Sequence, residues 1–207
     1  MKRPLIIIFL VLLIDQIAKI YIKTHFYMGE EYKILPWFII HFTENNGMAY
    51  GMEFSGQYGK IFLSIFRIAA VIGIGWYLMR LVKEKAHWGL ITSIALIFAG
   101  AIGNIIDSAF YGLIFNESCV GGVATLFPKG GGYAGFLHGK VVDMIYCPLF
   151  HGNFPSWFPI WHDQEFTFFS YIFNCSDSAI TIGVILILIF QRKFYPRKLE
   201  QNEFQTV

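Results

Sequence analysis

The run WGLITSIALIFAGAIGNII, Trp88 to Ile106, holds 19 residues and no charged side chain. Wound as a helix rising about 1.5 Å per residue, such a run reaches across the roughly 30 Å of a bilayer's hydrocarbon core. It predicts a membrane-spanning helix, and the rest of the chain falls into place around it. Three further segments have a similar reach with isolated interruptions: Pro4 to Ile22 contains Asp15 and Lys19, Ile61 to Val82 contains Arg67 and Arg80, and Phe169 to Phe190 contains Asp177 near its start. Ionisable groups inside spans either face a bundle interior or stretch toward headgroups. Arg67 reads as a snorkelling or paired arginine. The expectation is a mainly α, integral membrane protein: a four-transmembrane-helix bundle with helices at about 4–24, 60–82, 87–108 and 169–191, forming a single membrane domain over residues 1–207.

Composition agrees. Of 207 residues, 56% are hydrophobic and 14% charged, with a mean hydropathy of +0.53, whereas soluble domains carry about 25% charge. Too little polar side chain remains to coat a water-facing enzyme, and the apolar content excludes a disordered chain. A net charge of +2 gives no case for nucleic acid as a partner.

The basic residues cluster. Lys2 and Arg3 precede the first span, Arg80, Lys83 and Lys85 lie between the second and third, and Arg192, Lys193, Arg197 and Lys198 follow the fourth, which accounts for nine of the 16 lysines and arginines. By the positive-inside bias all these ends are cytoplasmic, both termini included, and residues 192–207 form a cytoplasmic tail. The connections 25–59 and 109–168 then lie outside, where Glu30, Glu31, Glu44, Glu53, Glu117, Asp163 and Glu165 are found. Lys2-Arg3 followed by Leu5–Ile14 resembles a secretory signal, but Asp15-Gln16 stands where a small-residue cleavage site is needed, so the segment reads as a retained anchor.

The outer connections differ in character. YKILPWFIIH, residues 32–41, is aromatic and branched around a proline, which predicts a small extracytoplasmic β-sheet at the membrane surface. The second connection, with Gly121-Gly122, Gly130-Gly131-Gly132, Pro148, Pro155 and Pro159 among Trp157, Phe158 and Trp161, reads as a turn-rich extracytoplasmic loop with an interfacial aromatic stretch. Cys119 and Cys147 both fall on that side; a disulfide between them and two free thiols are equally open.

Chemistry is carried by polar groups that a membrane span does not hold without reason: Asp15-Gln16 with Lys19, Asn45 with Gly47, Asn104 with Asp107, Asp143, and Asn174 with Asp177. On the four-span topology most of them converge at the outer surface. Asp15 and Lys19, spaced (i, i+4), read as a structural ion pair, Asn174 as a cap of the last helix, and Asp107 as a structural hydrogen-bonding group. The functional alternative is a site in which two carboxylates cooperate.

These residues also form an ordered series. D-Q-x-x-K (Asp15, Gln16, Lys19), N-x-G-x-A-[FY]-G (Asn45, Gly47, Ala49, Tyr50, Gly51), G-x-x-G-N-x-x-D (Gly100, Gly103, Asn104, Asp107), V-V-D-[FM] (Val141, Val142, Asp143, Met144) and F-N-x-x-D-S (Phe173, Asn174, Asp177, Ser178) run in this order over residues 15–178. The series resembles the bacterial lipoprotein signal peptidases, or signal peptidase II family. The resemblance implies an aspartic endopeptidase of the bacterial inner membrane that removes the signal peptide of a diacylglyceryl-modified prolipoprotein on the amino side of the lipidated cysteine, near the periplasmic face. It implies Asp143 and Asp177 as the catalytic pair, with Asn45, Gly47, Asn104, Asp107, Asn174, Asp15 and Lys19 supporting them or binding substrate. It implies no cofactor and no metal, a monomer, and membrane lipid around the substrate's acyl chains. Gly47 and Gly51 would let the backbone approach the peptide; Ala99 and Gly103 read as a close helix contact.

Two features depart from the family's pattern. Ser108 stands where an arginine usually follows the third-helix aspartate, and Lys140 or another basic residue is expected to substitute. Residues 112–139, usually a few residues, read either as a loop that shapes access to the site or, preferred here, as an added loop without a catalytic part. A proton-coupled membrane transporter would also place acids inside helices, but it needs more spans and a repeat. A non-enzymatic membrane scaffold has no need of both Asp143 and Asp177. His138, His151 and His162 lack the H-E-x-x-H spacing of a zinc protease.

Overall fold

The structure, a computed structural model, describes residues 2–46, 56–157 and 165–195. Gly47 and Gly51, singled out in the sequence, lie outside them. The described chain runs α1 (Lys2–His25), β1 (Glu31–Leu35), β2 (Phe38–Asn45), α2 (Gly56–Lys83), α3 (Trp88–Ile106), α4 (Gly112–Ile114), β3 (Val141–Tyr146), β4 (Phe150–Asn153), β5 (Glu165–Phe168), β6 (Ile172–Phe173) and α5 (Cys175–Phe194). Four helical segments among the described residues are long and apolar enough to cross a membrane: Lys2–His25, Phe62–Lys83, Trp88–Ile114 and Cys175–Phe194. Large apolar side chains such as Phe9, Leu13, Phe62, Phe66 and Leu188 are exposed, an arrangement stable in lipid and costly in water.

The third span is longer than the sequence suggests. His87 caps its start by accepting a hydrogen bond from the Gly89 amide. Past Ile106 the chain opens into one π turn, Asp107–Tyr111, and runs on through α4, so the span ends at Ile114 rather than near 108. The fourth helix starts at Cys175 rather than near 169. The reason is local: Phe169 has φ +66°, residues 165–168 and 172–173 pair as strands, and Asn174 closes a capping box with Asp177. Each helps its partner, because the Asn174 side chain accepts from the Asp177 amide while the Asp177 side chain accepts from the Asn174 amide.

A four-stranded antiparallel sheet of order β1-β2-β3-β6 covers one end of the helices, and β4 pairs with β5 separately. The hairpin of β1 and β2 occupies the aromatic stretch expected to be strands. The sheet reaches further than that: β3, which the sequence assigned to a loop, sits between β2 and β6 with Thr43 opposite Asp143 and Asn45 opposite Val141. Beneath it Ile22, Phe42, Tyr111, Phe115, Val142 and Met144 form one apolar cluster. Leu78, Leu81, Leu90, Ile94 and Phe194 form another at the far end of the bundle.

Close helix approach sets the site. A Cβ on Gly100 would stand 2.2 Å from the Ser176 carbonyl oxygen, and one on Gly103 would stand 2.0 Å from the Ser176 hydroxyl and 2.8 Å from Asp15 Oδ2. α3 therefore rests against the start of α5 and against α1 where only hydrogen fits. Gly139 does the same for the sheet. Its amide donates to the Ser108 carbonyl at 2.8 Å, and a Cβ there would meet the Asp107 carbonyl at 2.2 Å. This contact brings β3 down onto the π turn.

Candidate active site

The polar groups singled out in the sequence meet in one network, Gly47 apart. Lys19 on α1 is fully buried and spends its three donors on three acceptors: Asp15 Oδ2 at 2.9 Å, Asp107 Oδ2 at 2.8 Å and Asn104 Oδ1 at 2.8 Å. A buried ammonium needs such saturation to offset its lost hydration. Asp15 is the ion-pair partner expected from its spacing, and it also accepts from the Ser176 amide at 2.8 Å, tying α1 to the first turn of α5. Gln16 donates to Asp15 at 3.1 Å and Asp107 at 3.0 Å, and Asp107 accepts from the Val142 amide at 3.3 Å. Asp107 thus hydrogen-bonds to α1 and β3 at once.

Asn104 and Asn174 carry this network to the two carboxylates. Asn104 Nδ2 donates to Asp177 Oδ1 at 2.8 Å, and the Asn174 amide donates to Asp177 Oδ2 at 3.3 Å. Asn174 Nδ2 donates to Asp143 Oδ1 at 2.7 Å, while Asn45 Nδ2 donates to Asp143 Oδ2. One residue, Asn174, therefore binds Asp143 with its side chain and Asp177 with its backbone. The Asp143 carboxyl is pushed up to about 7, first by burial and then by the negative charge of Asp177 beside it, against the hydrogen bonds from Asn174 and Asn45.

Some expectations need correction. Lys140 does not stand in for the arginine replaced by Ser108: its Nζ lies 3.0 Å from Glu117 and 4.0 Å from Glu44, and the Ser108 hydroxyl donates to the Asn104 carbonyl at 3.1 Å. Of the two alternatives for Arg67, the paired one fits: it is half-buried, within electrostatic reach of Asp177 and Asp143. Cys119, Cys147 and Cys175 are all free thiols, which closes the disulfide alternative in this structure.

The sequence reading missed a second buried ionic group. Lys23, fully buried, pairs with Glu44 and donates to the Ser118 hydroxyl at 2.8 Å, which in turn donates to Glu44 at 2.8 Å. The rings of Phe115 and Tyr133 lie 5.3 and 5.2 Å from its Nζ. Asp15, Lys19 and Lys23 recur at intervals of four on α1, a spacing that puts all three on one face and could have revealed it. The added loop is therefore docked on the end of α1: the Ala124 amide donates to the Lys23 carbonyl at 3.2 Å, and Tyr27 bridges Val123.

Four apolar spans and a small sheet over a pair of carboxylates, Asp143 buried and Asp177 half-buried, define a polytopic membrane protein with an acidic site at one end of its bundle. Known proteins sharpen this. Residues 7–192 match the signal peptidase (SPase) II family, and the chain belongs to that family, which makes it a protease. It is 49% identical over 192 residues to the lipoprotein signal peptidase of Porphyromonas gingivalis, covering 92% of this chain and 81% of that one. It is 32% identical over 197 residues to that of Staphylococcus carnosus, covering 91% and 93%. A solved structure of a bacterial membrane enzyme, obtained by the in meso method at 2.3 Å, superposes with a TM-score of 0.65 at 27% identity over 97% of this chain and 94% of that one. The spans and the family fit a multi-pass protein of the bacterial inner membrane.

Proposed function

We propose that the chain is an aspartic endopeptidase that cuts diacylglyceryl-modified prolipoproteins on the amino side of the lipidated cysteine, with Asp143 and Asp177 as the reacting pair. The observation that carries this is Asn174 holding both carboxylates at once, Asp143 at 2.7 Å from its side chain and Asp177 at 3.3 Å from its amide. Two neighbouring carboxylates, one of them buried, cannot both ionise easily, so the pair shares one proton. The ionised oxygen takes a proton from a water as that water attacks the scissile carbonyl. The protonated partner hydrogen-bonds to the carbonyl oxygen and then passes its proton to the departing amine. Asn45, Asn104 and Asn174 fix both carboxyls, and Asp15, Lys19 and Asp107 fix Asn104 and the start of α5. Gly47, following Asn45 in sequence, would line the peptide.

The basic ends of the spans support cytoplasmic termini, an outward-facing sheet and a site near the periplasmic face. Acyl chains of a lipidated substrate can then remain in the bilayer while the peptide enters among the helices. Binding energy from the remote anchor positions the bond to be cut. The unit is proposed to act as a monomer. Asp143→Asn and Asp177→Asn, each nearly isosteric, are expected to lower processing of a lipidated prolipoprotein by about 10³-fold or more; processing at the parental rate by either correctly inserted variant would refute the mechanism. A periplasmic reporter active when fused after Lys85 would overturn the orientation.

A further inference from the structure

We propose that Arg67 is the positioning cation of the aspartate pair, a guanidinium presented by α2 that holds the pair in its singly ionised form and steadies the negative charge that builds during attack. The inference rests on the mechanism above and adds a residue from the one span that contributes nothing else to the network described.

Arg67 lies on the inward face of α2. Along α2 the side chains of Phe62, Phe66, Ile72 and Trp76 are exposed, while Ser64, Leu78 and Leu81 are buried and Arg67 and Val71 are half-buried. Positions 64, 67, 71, 74, 78 and 81 follow helical spacing, so they form one inward stripe and Arg67 belongs to it. At the same level the Ser64 hydroxyl donates to the Leu137 carbonyl at 3.4 Å, which sets this part of α2 against the chain leading into β3 and Asp143. A guanidinium inside a span is costly and marks a functional partner by default. Its partners are the carboxylates of Asp177 on α5 and Asp143 on β3, both within electrostatic reach.

The other cations near the site are spoken for. Lys19 of α1 also acts on Asp143, but its donors are committed to Asp15, Asp107 and Asn104. Lys23 is committed to Glu44 and Ser118, and Lys140 faces Glu117 and Glu44. Cys175, on α5 near Asp177, is a further titratable group of that element and feels the charges of Asp15, Lys19 and Asp177. A planar, permanently charged guanidinium suits carboxylates, and it reaches a nascent oxyanion without giving up a proton.

The test is the pH dependence of kcat/KM for a diacylglyceryl-modified prolipoprotein, with full-length protein in lipid nanodiscs. Removing the positive charge makes the first carboxyl harder to ionise, so in Arg67→Gln the acid limb is expected to move to higher pH by about 1 unit. Activity lost at low pH should return at alkaline pH, and Arg67→Lys should keep the parental limb. Arg67→Met serves the same comparison should the glutamine variant not be recovered folded. An unchanged profile, or a uniform loss at every pH that lysine does not rescue, overturns the inference while leaving the aspartate mechanism standing. Parental processing by Asp143→Asn and Asp177→Asn in the same preparation overturns that mechanism and the inference with it.

Discussion

Lys19 and Lys23 stand one turn apart on the same face of α1, both fully buried, yet their surroundings obey different logic. Lys19 faces two carboxylates and an amide drawn from α1, α3 and the π turn. Lys23 faces one carboxylate, a hydroxyl and two aromatic rings. The second group is a neutral pair that fastens the added loop and β2 to α1. The first leaves negative charge in excess and passes its hydrogen bonds on to Asp177. A buried ion pair whose charges cancel can be replaced by apolar side chains with little loss, whereas an unbalanced one cannot. This separates an ionic group that holds the fold from one that prepares a site.

The difference between the two lysines is expected to be largest at Lys19. Lys19→Met strands Asp15 and Asp107 and is expected to cost about 5 kcal/mol of stability, together with processing, as read by thermal unfolding and by substrate conversion. The next effect is in pH. The Asp143 carboxyl, held near 7 in the folded protein against an ordinary value of 3.8, makes the native state bind more protons than the unfolded chain across that interval. Its contribution to stability is thus largest below about pH 4 and is lost as pH rises to about 7, a loss of up to roughly 4 kcal/mol. Melting curves of Asp143→Asn across this range should lack that component. Lys23→Met is expected to cost about 3 kcal/mol by leaving Glu44 buried without its partner. The double change Lys23→Met with Glu44→Leu should recover most of it, to within about 1 kcal/mol of the parent; hydrogen exchange in residues 115–126 should rise while processing persists. If the double variant is as unstable as Lys19→Met, the distinction fails. Smallest of all, Cys119→Ser should change neither non-reducing gel mobility nor processing.

Much of this was legible in the sequence because membranes simplify the code. An uncharged 19-residue run has one reading, and polar residues within spans stand out, so Asp15, Lys19, Asn104, Asp107, Asn174 and Asp177 could be singled out before any geometry. What stayed hidden depended on tertiary pairing. The strand β3 carrying Asp143 sits among glycines and prolines in sequence and becomes a strand because β2 and β6 flank it. The sequence sets the start of α5 too early because Phe169 to Phe173 are apolar enough to extend a span, and only the Asn174 cap and the strand pairing place the boundary. Whether Arg67 reaches for headgroups or pairs inward is open in the sequence, because its direction depends on how α2 leans on its neighbours. Lys23 carried a signal in its spacing from Lys19, but its partners Glu44 and Ser118 are far along the chain.

The capping box at the head of α5 ties two duties to one atom pair. The carboxylate of Asp177, proposed to take part in bond cleavage, is also what closes the Asn174 amide at the start of a 20-residue helix. Evolution has little room at this position: apart from asparagine, which keeps an acceptor for the Asn174 amide, a side chain that abandons the reaction also loosens the helix start. A small molecule that engaged both Asp177 and Asn174 would face a target with few routes of escape, since the substitutions that weaken its grip would also unseat the protein's own architecture.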